Sequence, residues 1–508
     1  MLNLELLAPE IVLSLLGLGL MVADILVPAR RAKILYHLAW FACALALAFI
    51  IRGMAAGLPA QGAGTLWVVD RMSQFFKVAV LLCTILTLML CLEYKQLPAA
   101  QAGTFSALLI LSSVGLMFLV SSVDLLLVFV SLELVSIASF VLTGFERRNR
   151  KSNEGAIKYF LFGAFSSAIM VYGISLYYGA TGTTRLMDIS QQAHGLSLWT
   201  PAMEAAAHRG PVFLLAMLLI LLGFGFKAAM VPMHFWVPDA YEGAPLPVTA
   251  FLSVAPKIAA MAVILRVFMI IVPAQNLQLT PLLALLAILT MTVGNTVAIF
   301  QDNVKRLLAY SAVAQAGYIL IGIVSGNSLG LEAVLLYSAI YLAMNVGAFA
   351  VVQAVGDDGS RQGLGSYELA AFDGLSRRSL PLALCLTLFL LSLAGIPPLA
   401  GFFGKFYLFA AALDAGGSAA AGSGGGIFYA LAVAGVINSV ISVYYYMKIA
   451  YHMFFLPPAG GEDAQQPALA AGPYLWGCVL VTLAGIVFFG VAPQSLIAHV
   501  KFSALLLP

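Results

Sequence analysis

Charge is the scarcest commodity in this sequence. Aspartate, glutamate, lysine and arginine make up 9% of its 508 residues, against 62% hydrophobic ones. A water-soluble globule of this length needs a far more polar exterior, so the chain requires lipid as its solvent. The formal net charge is only +3, and the basic residues gather in short connections and not on one amphipathic face. That excludes a phosphate backbone as partner, so no nucleic acid is expected. Cysteine is equally sparse. Cys43, Cys83, Cys91, Cys385 and Cys478 stand singly in apolar runs, with no Cys-x-x-Cys and no metal-ligand spacing. They read as packing residues, and neither a metal nor an iron–sulfur cluster is expected in this chain. No Gly-x-Gly-x-x-Gly follows a strand pattern, and no paired haem ligands are evident among the six histidines. Redox chemistry, and any cofactor that carries it, must sit elsewhere. Alternating segments of about ten residues, the mark of a barrel strand, are missing too. The fold class left is all-α, a polytopic integral membrane protein.

What is abundant is apolar length. A helix crossing about 30 Å of hydrocarbon needs roughly 20 apolar residues. About fourteen such windows emerge, near residues 8–27, 34–51, 72–92, 104–121, 123–143, 156–179, 211–236, 247–271, 281–300, 305–325, 332–355, 381–411, 427–451 and 473–492. The first follows Glu5 and Glu10, lacks a basic n-region and has no small-residue cleavage site before Pro28, so a retained span is expected and not a cleaved signal. Loop charge sets the orientation. Arg30, Arg31, Lys33, Lys95, Arg147, Arg148, Arg150, Lys151, Lys305, Arg306, Arg361, Arg377 and Arg378 fall on one side, and only Arg52, Arg71, Arg185, Arg209 and Lys501 on the other. The first side is cytoplasmic by the positive-inside rule, and both termini face outward. The stretches 180–210, 416–426 and 459–472 read as non-spanning connections, the second flexible by its Gly/Ser/Ala composition.

An ionisable residue inside a span is expensive and therefore informative. Glu133 lies about ten residues into the fifth window, near the midplane. Lys257 is similarly deep, and Lys227 and Lys405 each sit beside helix-breaking residues. Lys158 is shallower, and its position alone leaves snorkelling and function equally open. Together these charges, if isolated, would cost on the order of 10 kcal/mol at roughly 2.5–3.5 each. Pairing Glu133 with a lysine, hydrating the groups or letting lysines run neutral reduces that cost, and all three are parts of a proton relay. Buried ion pairs can also be plain structural glue. Lys77, Arg266 and Lys448 stand near window ends and are expected to snorkel to the interface. Trp67 and Trp236 are expected as interfacial anchors. His234 could orient water or simply be a hydrogen-bonded interfacial histidine.

Two windows are interrupted. In Gly225-Phe226-Lys227-Ala228-Ala229-Met230-Val231-Pro232 the proline removes the helical bond to the Ala228 carbonyl. Between Leu393 and Lys405, Pro397, Pro398, Gly395, Gly401 and Gly404 weaken the helix just before another lysine. Broken backbone at membrane depth is tolerated only inside protein or against a watery cavity, and such paired interruptions point to inverted repeats. The seventh and twelfth windows are five apart, an odd number, so equivalent segments run in opposite directions. The expected organisation is 1–103 (three N-terminal helices), 104–271 and 281–452 (five-helix repeats) and 473–508 (a last helix).

The run from Lys227 through Pro232-Met233-His234-Phe235-Trp236-Val237-Pro238-Asp239-Ala240-Tyr241-Glu242-Gly243-Ala244-Pro245 resembles the seventh-span signature of the antiporter-like membrane subunits of respiratory complex I. Asp302-Asn303-Val304-Lys305-Arg306-Leu307-Leu308-Ala309-Tyr310-Ser311 resembles the start of their tenth span. The resemblance covers essentially the whole chain. Within the family it is strongest to the subunit-N branch of bacterial NADH:quinone oxidoreductase, to which mitochondrial subunit 2 is related; Mrp-type sodium/proton antiporter subunits share both motifs. The resemblance implies that Glu133, Lys158, Lys227, Lys257 and Lys405 form a hydrated polar axis across the membrane plane, which raises Lys158 to a site residue, with His234 secondary. It implies a proton-translocating subunit in the bacterial inner membrane, partnered by paralogous antiporter-like subunits and other complex I membrane subunits, with NAD, FMN, iron–sulfur clusters and quinone held by partner subunits. The expected path runs from the cytoplasm toward Lys227 and Lys257, then laterally, then outward by Lys405, with Glu133 setting the proton affinity of Lys227. The alternatives are an Mrp-type Na⁺/H⁺ antiporter subunit and a purely structural membrane scaffold.

Overall fold

The computed structural model describes residues 7–28, 31–55, 61–62, 66–97, 101–186, 211–270, 279–359, 367–419, 425–457, 469 and 471–503. Among them the chain forms α1 (Ala8–Leu26), α2 (Lys33–Ala55), α3 (Arg71–Glu93), α4 (Ala102–Ser121), α5 (Leu125–Thr143), α6 (Arg150–Thr181), α7 (Pro211–Ala228), α8 (Trp236–Gly243) and α9 (Leu246–Ile270). There follow α10 (Leu279–Ile299), α11 (Val304–Ser325), α12 (Ser328–Gly359), α13 (Leu375–Arg378), α14 (Leu380–Ala394), α15 (Ala400–Ala419), α16 (Gly426–Phe455), α17 (Pro473–Val491) and α18 (Pro493–Ser503). Among the described residues, extended structure is limited to a two-residue antiparallel pairing of Gln61–Gly62 with Val68–Val69 and three isolated bridges. Thirteen helices among the described residues are long and apolar enough to cross a membrane. The shortfall against the windows has a local cause: the stretch 381–411 is split, leaving α14 with only 15 residues ahead of α15.

Burial ranks the helices. α9 is enclosed along its whole apolar window and α11 and α12 nearly so, whereas α1, α2, α6, α16 and α17 present most of their surface outward. In lipid, apolar contact alone gives little net drive between helices, so close approach and hydrogen bonds hold the bundle. Gly317 of α11 lies so near α10 that a Cβ there would come within 2.7 Å of the Met291 amide nitrogen. Asn345 of α12 donates to Ser253 of α9 at 2.6 Å, Asn295 of α10 donates to Asn438 of α16 at 3.1 Å, and Thr84 of α3 meets Ser113 of α4 at 2.7 Å.

The two breaks satisfy their own freed backbone groups. α7 stops at Ala228 and Ala229 turns to φ +63°, one turn ahead of Pro232. The Met230 amide then reaches Gly225 O at 2.8 Å, the Val231 amide takes Thr290 Oγ1 of α10 at 3.1 Å, and Trp236 Nε1 donates to Phe226 O at 3.0 Å. At the second break Gly395 adopts φ +91°, a conformation glycine takes without strain. Its amide and that of Ile396 both return to Leu391 O at 3.1 Å. Irregular backbone is thus supported from within the protein.

The halves share a connection. The Leu125 amide donates to Thr184 O at 2.9 Å and the Leu186 amide to Val123 O at 2.9 Å, pairing Asp124 with Arg185. Likewise the Val304 amide donates to Tyr367 O and the Leu369 amide to Asp302 O, both at 2.8 Å, pairing Asn303 with Glu368. In each case an Asx side chain caps the helix that follows, α5 or α11, and the next helix, α6 or α12, runs for 32 residues.

Several end-of-window residues do not behave as expected. Lys77 does not snorkel; it is buried in an ion pair with Glu10 at 2.6 Å. Arg266 is buried too, holding both oxygens of Asp70 at 2.8 and 3.0 Å. Both are enclosed by neighbouring helices, and a charge buried in that way persists by pairing. Lys448 does reach outward, to Asp302 at 2.9 Å. Trp67 and Trp236 are buried and not belt residues, Trp67 packing against Val69 and Phe118. Residues 416–419 continue α15 and are not loop. The expected connections at 187–210, 420–424 and 459–468, and with them Arg30, Arg209 and Arg361, lie outside the described residues.

Candidate functional site

Glu133 occupies the middle of α5 and accepts a hydrogen bond from Ser167 Oγ of α6. Lys227, next to last in α7, points into the same space because α7 ends there. Its Nζ donates to Ser136 Oγ, one turn beyond Glu133, at 3.0 Å and to Tyr159 OH at 3.2 Å. Glu133, Ser136, Ser166, Ser167 and Lys227 line one cavity of about 10 Å³, room for about one water. The expected pairing therefore holds as neighbourhood and not as contact: serines stand between carboxylate and ammonium. Tyr159 is fixed by stacking on Trp236, with centroids 4.0 Å apart and planes 8° apart. So the motif beyond the break supplies a wall for the Lys227 site.

Lys257 follows Pro256 in the enclosed α9 and donates to Ala312 O of α11. The Tyr341 ring lies 5.9 Å from its Nζ, and Tyr341 OH in turn donates to Ser253 O at 3.0 Å. Lys405 of α15 donates to Ala394 O, the last carbonyl of α14, at 3.0 Å, and sits 4.4 Å from the Tyr318 ring centroid. The lysine therefore caps the break it follows. Between Lys257 and Lys405 lies Gln315, which accepts from Tyr337 OH and donates to Tyr446 OH at 3.2 Å and Leu393 O at 3.3 Å. Tyr446 also meets Ser311 at 2.6 Å. Ser311, Tyr446, Gln315 and Tyr337 thus form one hydrogen-bonded cluster, which on α11 lies within one turn of the Ala312 carbonyl that Lys257 holds and reaches Leu393 O beside the Ala394 carbonyl that Lys405 holds.

Lys158 is placed apart from this axis. It pairs with Glu154 and Asp239, both at 2.7 Å, in a network in which Arg306 bridges Asp239 at 2.7 Å and Glu242 at 3.1 Å, and Lys151 holds Glu242 at 2.7 Å. The network ties α6 to α8 and α11. His234 is buried beside the first break, and its Nδ1 has no partner among the described residues. Among the described residues no group of three or more His, Cys, Asp or Glu could hold a metal ion, and the five cysteines are buried free thiols.

Sequence reasoning missed Ser136, Tyr159, Ser167, Gln315, Tyr337 and Tyr446. Neutral polar residues cost far less in a membrane than ions and stand out less; their only signal was a hydroxyl or amide within an apolar window. It also placed Lys305 among loop cations, although its side chain is buried.

The NADH:quinone oxidoreductase/Mrp antiporter transmembrane family matches residues 122–431. The NADH-quinone oxidoreductase subunit N of Trichlorobacter lovleyi is 39% identical over 499 residues, covering 97% of this chain and 96% of its own length. That of Moorella thermoacetica is 41% identical over 510 residues, covering 99% of each. Among solved structures, a chain of respiratory complex I from Thermus thermophilus is similar with a TM-score of 0.77 at 31% identity, covering 96% of this chain and 98% of that one. A chain of the Mrp complex from Dietzia sp. is similar with a TM-score of 0.81 at 22% identity, covering 99% and 97%, a likeness of fold alone.

Proposed function

Because the chain belongs to the subunit N family of NADH-quinone oxidoreductase, we propose that it carries protons across the membrane through Glu133, Lys227, Lys257 and Lys405. The observation that carries this reading is that three lysines are buried within the bundle, each bonded to an oxygen on another helix. A cation enclosed at such cost suits transfer better than anchoring, and at Lys227 the bonded hydroxyls can receive and return a proton. Protons pass from the basic, cytoplasmic side toward Lys227 and Lys257, move along the Gln315 cluster, and leave outward by Lys405. Glu133 acts on Lys227 across their shared cavity, strengthening its hold on a proton as the carboxylate approaches and weakening it as Ser167 draws the carboxylate away. Lys158 contributes from the ionic network, through Asp239.

The five-helix repeats 104–271 and 281–452, flanked by 1–103 and 473–508, are supported by the matching Asx-capped connections and by the two breaks. Both termini face outward from a bacterial inner membrane. Partner membrane subunits, paralogous antiporter-like ones among them, complete the pathway, and NAD, FMN, iron–sulfur clusters and quinone belong to other subunits of the complex. They must supply the drive, since moving one charge against 100 mV takes about 2.3 kcal/mol.

The test uses the intact complex in sealed vesicles. Lys227→Ala and Glu133→Ala should each depress proton translocation and the electron transfer coupled to it, with assembly retained. Normal pumping by both variants would sink the relay. An Mrp-type antiporter subunit would instead restore sodium tolerance and exchange Na⁺ for H⁺ with no NADH oxidation, and a scaffold would lose assembly alone.

A further inference from the structure

Lys305 opens α11 on the basic side of the bundle, yet it is only 2% exposed. Its Nζ donates at 2.7 Å to Ala244 O, the residue that closes α8, and lies 4.7 Å from the Tyr367 ring centroid. Two helix ends thus act on one amine in opposite senses. The N-terminus of α11 disfavours its positive charge, and the C-terminus of α8 favours it. The charged groups that act on it are Glu146, Glu242 and Lys151. Glu242 is already held by Lys151 and Arg306. Glu146, in the connection between α5 and α6, is half-buried and accepts a hydrogen bond from Tyr94 OH at 2.8 Å. Tyr94 closes α3, and it and Tyr367 act on one another and on Glu146, with Asp357 of α12 behind them. Between the basic surface and the buried amine there is therefore a carboxylate, then two phenols, of which Tyr94 OH is bonded to Glu146 and Tyr367 OH has no hydrogen-bond partner among the described residues.

The position leads inward as well. Ala244 joins directly to α9, which carries Lys257, and α11 carries Ala312, the carbonyl that Lys257 holds. Lys305 bonds the end of α8 just before α9, Lys257 bonds from α9 back to α11, and Ala312 lies seven residues along α11 from Lys305, about 10 Å deeper at the helical rise.

We propose that Lys305, fed through Glu146, is a further proton-carrying site, the point at which protons are loaded from the basic side before they reach Lys257. The inference rests on the relay reading above and extends it. Bulk water protonates the Glu146 carboxylate; the carboxyl proton passes by the phenolic hydroxyls to the free amine of Lys305, leaving a carboxylate and an ammonium. Release of that proton inward restores the amine for the next cycle.

Lys305→Arg separates this role from a structural one, because a guanidinium keeps the charge and the donor but does not give up a proton. In the intact complex in sealed vesicles, Lys305→Arg and Lys305→Met should both assemble and accept electrons from NADH while translocating protons several-fold more slowly. Glu146→Gln should move the alkaline limb of the pumping-against-pH profile to lower pH, since the collecting carboxylate is gone. Lys305→Arg pumping at the native rate, with an unchanged profile, would show that a fixed charge suffices and overturn the proposal. If neither Lys305 variant assembles, Glu146→Gln decides, and an unchanged profile overturns it. Lys227→Ala, measured alongside, keeps the two ideas apart: a deficient Lys227→Ala beside a normal Lys305→Arg rejects the loading site alone, whereas a normal Lys227→Ala rejects the relay.

Discussion

In the first half of the bundle, Lys227 meets hydroxyl and carboxylate side chains: Ser136 Oγ, Tyr159 OH and, across a small cavity, the carboxylate of Glu133. Lys257, also in the first repeat, and Lys405, in the second, meet the carbonyls of Ala312 and Ala394, which move only if a helix bends. A hydroxyl can take a proton on one side and release it on the other, whereas a carbonyl only accepts a hydrogen bond. The mobile negative charge therefore sits where protonation is to be controlled, and the fixed dipoles sit where an ammonium is to be held steady. The aromatic at the tenth residue of each long helix follows the same division. Tyr159 of α6 touches Lys227 directly, while Tyr337 of α12 serves Gln315 in the cluster between two lysines.

The contrast can be broken most sharply at Lys257, where no side chain stands ready to substitute. Lys257→Met keeps the volume and removes the donor, so proton translocation by the intact complex should fall by roughly tenfold or more, about 1.4 kcal/mol per factor of ten; native pumping would show that protons pass from Lys227 to Lys405 by another route. A smaller effect is expected at Glu133→Gln, which keeps the shape and an acceptor for Ser167 but loses the charge. Pumping should slow and its dependence on pH should flatten, and a profile identical to the native one would remove the distinction between a controlling and a conducting lysine site. The smallest effect is expected at Trp236→Phe, which keeps a ring against Tyr159 but loses the bond to Phe226 O. Stability measured by thermal unfolding in detergent should drop by about 1 kcal/mol, with pumping near the native level.

Apolar windows located the spans, and the glycines and prolines located both breaks, because backbone hydrogen bonding and helix length are local properties. The first break nevertheless starts at Ala229, ahead of Pro232, since Trp236 and Thr290 from elsewhere capture the freed groups. Glu133, Lys227, Lys257 and Lys405 were legible as ions in apolar surroundings. Lys77 and Arg266 carried the same signal and were assigned to the interface, because distance from a window end says nothing about which neighbour covers that end. Glu10 and Asp70, far away in sequence, decide it. Lys305 shows the converse: it counts as a loop cation in the charge pattern, yet α8 and Tyr367 enclose it.

The amino-acid order alone determined that the chain lives in lipid, roughly where its spans lie and which residues would be costly there, since transfer from water depends on composition summed along a short segment. Only the folded bundle decided which of those residues meet, and whether through a hydroxyl, a carbonyl or a carboxylate. Partnership depends on the rotation and depth of helices that are distant in the chain, and a buried charge takes its character from the few atoms within about 3 Å of it.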